Sequence, residues 1–147
     1  MNNLPNLLLH LLMTEFKYAV VCVDDDPYIL QMLGFQLGKI INQKCTLVEY
    51  FTDPNEALDG ISALVEERID IIFVIVDYQM PKMTGAQLIR SIKEKYPDLN
   101  CVMLSGQANQ LSVDELVSDN LLTCFISKPW DEETLVQIIR PLIQEHS

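Results

Sequence analysis

The sequence is short of positive charge. Ten Lys and Arg stand against 21 Asp and Glu, a formal charge of −11. A nucleic-acid duplex is a dense line of negative charge, and binding it takes clustered Lys and Arg. No such cluster exists, so this chain alone is not expected to bind nucleic acid. The sequence also lacks a C-x-x-C pair. Cys22, Cys45, Cys101 and Cys124 each sit in or near an apolar run. They read as small buried thiols in a reducing, cytoplasmic compartment rather than as disulfides or metal ligands. No long hydrophobic run is present. The stretch Leu4–Met13, LPNLLLHLLM, is ten residues long, contains His10, and has no Lys or Arg before it. It is too short to cross a bilayer and lacks the charged start of a signal peptide, so no membrane association is expected. Internal repeats, low-complexity tracts and Gly/Ser linkers are missing too.

What is present suits one globular domain. The chain has 147 residues, 49% hydrophobic and 21% charged. That length supports a real core without staples, and that composition excludes a disordered or fibrous chain. Residues 1–15 read as an extension, expected to form a short amphipathic helix that packs on the domain or on a second copy. Residues 16–147 read as the domain itself.

Short apolar runs alternate with helical patterns. The runs are Tyr18–Val23, Thr46–Phe51, Ile71–Val76, Cys101–Leu104 and Leu122–Ile126. Several show little polar alternation, as strands buried on both faces of a parallel sheet do. Helix starts stand between them. Asp26-Pro27 and Asp53-Pro54 each offer an N-cap followed by Pro at the first helical position. Asp53/Glu56, Thr84/Gln87 and Ser112/Glu115 have capping-box spacing, and Asp131 precedes Leu135, Ile138 and Ile139. Pro141 is expected to end or bend the last helix. Five strands alternating with five helices predict an α/β fold, an open doubly wound parallel sheet. In such sheets the functional crevice lies beyond the carboxyl ends of the strands.

Those ends carry polar groups. Asp24-Asp25-Asp26 follow the first run, Asp77 the third, Ser105-Gly106 the fourth and Ser127-Lys128-Pro129 the fifth. Taken singly each has an ordinary reading: Asp26 as a helix cap, Asp24 and Asp25 as loop acids, Asp77 as a turn residue before Pro81. Gathered at one edge they repel, since two unit charges ~4 Å apart cost about 4 kcal/mol at an effective dielectric of ~20. A hard divalent cation and the Lys128 ammonium are the available compensations. An acidic pocket with one Lys and one hydroxyl suits Mg²⁺-assisted phosphoryl transfer, with a carboxylate as nucleophile.

The elements VDDDP at 23–27, VDYQMPKMTG at 76–85, MLSGQA at 103–108 and FISKPW at 125–130 together resemble the receiver domain of bacterial two-component response regulators. Their order and separations fit that family from about Phe16 to Gln144. The resemblance implies a flavodoxin-like sheet of strand order 2-1-3-4-5 with five helices. It implies Asp77 as phospho-acceptor, and Mg²⁺ held by Asp24, Asp25, Asp77 and the backbone carbonyl of Gln79. It implies Ser105 and Lys128 as partners of the phosphoryl oxygens. Phe125 falls at the family's aromatic switch position, where it lacks a hydroxyl. Gln79 and Gln107 fall where the family tunes dephosphorylation.

The resemblance therefore implies a signalling switch rather than an enzyme, one that assists its own phosphorylation and dephosphorylation. A sensor histidine kinase, a phosphotransfer protein or a small phosphodonor would serve as donor. A face built from the fourth helix, fifth strand and fifth helix would then change shape for a downstream effector protein. A homodimer stays open, although Leu111–Asn120 and Asp131–Ile139 contain no basic residue to form charged pairs between copies. Two alternatives are a haloacid-dehalogenase-like phosphatase and a phosphorylation-independent interaction module. The phosphatase wants an acid two residues after its nucleophile, and position 79 is Gln. The chain reads equally as a stand-alone receiver, a phosphorelay shuttle or a piece of a longer regulator.

Overall fold

The computed structural model describes residues 16–106 and 109–146. The elements are β1 Tyr18–Val23, α1 Pro27–Leu37, β2 Thr46–Phe51, α2 Pro54–Glu66, β3 Asp70–Asp77, α3 Gly85–Lys95, β4 Cys101–Ser105, α4 Gln110–Ser118, β5 Cys124–Ser127 and α5 Glu132–Glu145. Every strand pair is parallel, and the order is β2-β1-β3-β4-β5. The expected doubly wound fold is therefore the one formed. The order reverses direction between β1 and β3, which sets a crevice at their carboxyl ends. The expected helix within residues 1–15, and Gln107, lie outside the described residues.

Alternation along the strands builds two cores. Ala19, Val21 and Val23 pack with Ile61 and Leu64 of α2, Leu88 and Ile92 of α3, and Leu116 of α4. Val20 and Cys22 pack with Leu30 and Leu33 of α1 and Leu135 and Ile139 of α5. Among the described residues, three helices thus cover one face and two the other. Cys22 and Cys101 are buried free thiols, as expected, whereas Cys45 and Cys124 are only half-buried. Burial pushes the Cys22 thiol far up and that of Cys101 up to about 12. Among the described residues no helix is long and apolar enough to cross a membrane.

The helix starts show which sequence signals hold. Asp26 accepts from the Tyr28 amide at 2.9 Å. Asp53 accepts from the Asn55 and Glu56 amides. Thr84 and Gln87 form the complete reciprocal box, and Asp131 accepts from the Thr134 amide at 2.7 Å. Ser112 differs from expectation. α4 begins three residues earlier, behind Asn109, which makes no side-chain capping bond. Ser112 therefore lies inside the helix, where its hydroxyl is free for a tertiary partner. Pro141 does not end the last helix, because α5 runs through it to Glu145. One backbone bond is forfeited, but Ile139 and Leu142 on either side are buried in the core and hold the last turn in place.

One irregularity was hidden in the sequence. The pairing of β1 with β3 shifts register between Ala19 and Val20. Ile72 and Phe73, adjacent in sequence, both pack toward α1 and α5, while Ile71 and Val74 pack on the opposite face. This is a β-bulge. Asn100 secures it: its side-chain amide donates to the Ile72 carbonyl at 3.2 Å, and its backbone carbonyl accepts from Val74 at 2.9 Å. The bulge resets which side chains face which layer over the last turn of pleat before Asp77.

Candidate functional site

Three strands deliver the site. Asp24 follows β1 directly, Asp77 ends β3 and Lys128 follows β5. Asp24 is 1% exposed and Asp77 5%. Asp25, one residue on, is exposed. One carboxylate oxygen from each of Asp24, Asp25 and Asp77 lies within 4.8 Å of the other two. Lys128 Nζ donates to Asp77 Oδ1 at 2.6 Å and stands 3.5 Å from Asp24 Oδ2. A cleft of about 550 Å³ opens over these groups, lined also by Asp26, Ile29, Gln79, Gly106 and Asn109.

Local structure explains the placement. Asp24 is pinned by its Oδ1, which accepts from the Asp26 amide at 2.9 Å as α1 begins. The loop after Asp77 is shaped by Gly85. A Cβ there would stand 2.3 Å from the Asp77 carbonyl oxygen and 2.9 Å from Tyr78 Cα, and the Gly85 amide donates to the Tyr78 carbonyl at 2.7 Å. The start of α3 thus rests directly on the backbone of the site. Lys82 in the same loop pairs with Asp53 at the start of α2.

The electrostatics are unbalanced. Burial raises the Asp24 carboxyl; the Asp26 amide opposes this, the charge of Asp77 adds to it, and the result is about 6. Burial also raises Asp77, with Lys128 partly offsetting it. For Lys128, burial pulls the ammonium down, but the hydrogen bond to Asp77 and the charges of Asp24 and Asp77 outweigh it and hold the group above its ordinary range. One ammonium therefore serves two buried carboxylates, with Asp25 close by as a third acid. Among the described residues, Asp24 Oδ2 is buried without a hydrogen-bond partner, and Lys128 Nζ stands 3.5 Å away in a long ion pair. A buried carboxylate oxygen without a donor is costly. An all-oxygen cluster with one such oxygen fits a hard divalent cation of the Mg²⁺ type.

The other sequence candidates separate. Gln79 is exposed and borders the cleft. Ser105 ends β4 but is 5% exposed and does not line the cleft among the described residues. Its carbonyl accepts from the Lys128 amide at 2.8 Å, so it abuts the site. Phe125 on β5 is 38% exposed, opposite Met103 in the strand register. Sequence reasoning missed Asn109 and Ile29 as cleft residues. Ile29 lies one residue beyond Tyr28 on a helix already recognised, and its pattern signalled core rather than cleft.

Residues 20–140 match the family described as the response regulator receiver domain. The chain belongs to the response regulator receiver domain family. This sets aside the haloacid-dehalogenase-like alternative. Among relatives, a putative two-component response regulator of Arabidopsis thaliana, ARR13, is 31% identical over 77% of this chain and 18% of its own length. The transcriptional regulatory protein GlrR of Escherichia coli is 27% identical over 86% of this chain and 26% of its own length. The heme response regulator HssR of Staphylococcus aureus is 28% identical over 85% of this chain and 51% of its own length. This receiver domain thus spans between about a fifth and a half of those relatives. Of solved structures, a response regulator receiver domain from Clostridium thermocellum superposes with a TM-score of 0.72 at 25% identity, covering 88% of this chain and 96% of the other. The chemotaxis protein CheY4 of Vibrio cholerae gives 0.69 at 25% identity, covering 85% and 98%. Receiver domains are signal-transduction switches of two-component systems that work with sensor kinases, and they are generally not classical enzymes.

Proposed function

We propose that this receiver accepts a phosphoryl group on Asp77 and relays that event through the face formed by α4, β5 and α5. The carrying observation is the 2.6 Å contact of Lys128 with Asp77 on the floor of a cleft rimmed by Asp24 and Asp25. In the transfer, an Asp77 carboxylate oxygen forms the new O–P bond. The bond from phosphorus to the donor breaks, and its electron pair leaves with the donor, an imidazole nitrogen when the donor is a phosphohistidine. Asp24, Asp25, Asp77 and the backbone carbonyl of Gln79 would hold Mg²⁺. When bound, that ion supplies charge neutralisation and alignment for the phosphoryl oxygens. Lys128 neutralises a second oxygen. The acyl phosphate carries about two negative charges, and Ser105 turns from its buried position to meet one of its oxygens. By holding these groups in place the domain assists its own phosphorylation and dephosphorylation, with Gln79 and Gln107 setting the rate of loss.

The donor is a sensor histidine kinase, a phosphotransfer protein or a small phosphodonor. The output is a protein contact on the α4–β5–α5 face, made in the cytoplasm by a domain spanning residues 16–147. Exposed Leu111 and Val117 on α4 and Phe125 on β5 support that surface. Because Phe125 has no hydroxyl, its inward rotation is driven by packing. Labelling with acetyl phosphate tests the reading. Wild-type protein should take up one phosphoryl group, and both Asp77→Asn and a Mg²⁺ chelator should abolish uptake. Uptake unchanged in Asp77→Asn rejects Asp77. A wild-type protein that never labels is a phosphorylation-independent interaction module.

A further inference from the structure

Tyr78 follows Asp77, and its backbone is held on three sides. Its amide donates to the Leu104 carbonyl at 3.0 Å, its carbonyl accepts from Gly85 at 2.7 Å, and its Cα is close-packed against Gly85. With the backbone fixed, the half-buried side chain reaches α4, where its hydroxyl meets Ser112 Oγ at 2.9 Å. This is the hydroxyl that the sequence pattern assigned to a helix cap and that the structure leaves free for tertiary use.

α4 has few other fixings. It has nine residues, no side-chain N-cap bond, and only Val113 and Leu116 buried. Leu111 is 81% exposed. Its far end is tied by Arg90 to Asp119 at 2.6 Å, a pair with both side chains about half exposed, which is a weak kind of restraint. The Tyr78–Ser112 bond is the tie at the end nearer the site. Meanwhile the aromatic residue on β5, Phe125, has no hydroxyl to offer.

We propose that Tyr78 is a positioning residue: its hydroxyl tethers α4 through Ser112 in the resting protein and so sets how readily phosphorylation of the neighbouring Asp77 moves that helix. The inference rests on Asp77 being the phospho-acceptor. Ser105 and the residues after it connect β4 to α4, so drawing Ser105 toward a phosphoryl group pulls on the start of α4. The tether opposes that pull. Cutting it shifts the helix toward its displaced state, and by linkage the phosphorylated form then becomes easier to reach.

The test uses the full chain with Tyr78→Phe, Ser112→Ala and the double variant. In unphosphorylated protein, hydrogen exchange of the α4 amides should quicken about fivefold in each, as loss of one net hydrogen bond implies. Beryllium trifluoride with Mg²⁺, an inert stand-in for the phosphoryl group, is then titrated, read by fluorescence of Trp130 beside Lys128. Both single variants should bind it about fivefold more tightly than wild type, and the double variant no more tightly than either. A merely structural role would loosen the helix without tightening binding. Equal or weaker binding in Tyr78→Phe, or unchanged α4 exchange, overturns the tether. Failure of wild-type protein to bind the probe overturns the phospho-acceptor reading instead, and the proposal with it.

Discussion

The two ends of the sheet treat polar side chains differently. At the amino ends, Lys17 and Asp70 are exposed, and the inward-turned Asn100 is satisfied by Ile72 and Thr123. At the carboxyl ends, Asp24, Asp77 and Ser105 are buried, yet among the described residues Asp24 Oδ2 lacks a hydrogen bond and Lys128 pairs with both Asp24 and Asp77. A polar group buried for stability finds its partners; one buried without them costs free energy that folding alone does not repay. The difference marks one end as scaffold and the other as site.

Changes at the carboxyl ends should therefore disturb labelling, whereas changes at the amino ends should disturb stability alone. The largest effect is expected from Gly85→Ala, which drives a Cβ into the backbone of Asp77. Misplacement of that kind can cost on the order of 10²-fold in rate, alongside about 1–3 kcal/mol of stability. Labelling kinetics and urea unfolding would register both. Asp24→Asn should stabilise the cation-free protein by about 1–3 kcal/mol at pH 7.5, because a repelled, desolvated charge is removed. The same change should abolish stabilisation by Mg²⁺, and a lower melting temperature would contradict the site reading. At the other end, Asn100→Ala should destabilise by about 1–2 kcal/mol by freeing the bulge carbonyl, and leave labelling intact.

The Asp24→Asn gap also carries a pH dependence. Asp24 titrates near 6 in the folded protein, above its ordinary value of 3.8. A raised folded value means that its contribution is fully favourable below about pH 4 and is lost as pH rises through about 6. The stability gap between Asp24→Asn and wild type should therefore open over that window and be absent at pH 4. A gap of constant size would place its origin elsewhere.

The fold was legible because the strands are apolar runs and four of the helices carry Asp or Thr caps that the structure uses. The bulge was not, since Ile71, Ile72 and Phe73 are all apolar and a slipped phase leaves no trace in such a run. The start of α4 was misread because Ser112 has a capping residue's chemistry and spacing, while its hydroxyl is taken by Tyr78, 34 positions away in sequence. The acids and Lys128 were legible as strand-end charges. The burial of Ser105 was not, because depth within a sheet edge is set by neighbouring strands.

The most direct measurement is to phosphorylate the protein with acetyl phosphate and Mg²⁺, fragment it, and locate the modified side chain by mass spectrometry. The site reading predicts one phosphoryl group, carried by Asp77. A phosphoryl group on Asp24 or Asp25, or on a residue away from the cleft, would contradict it.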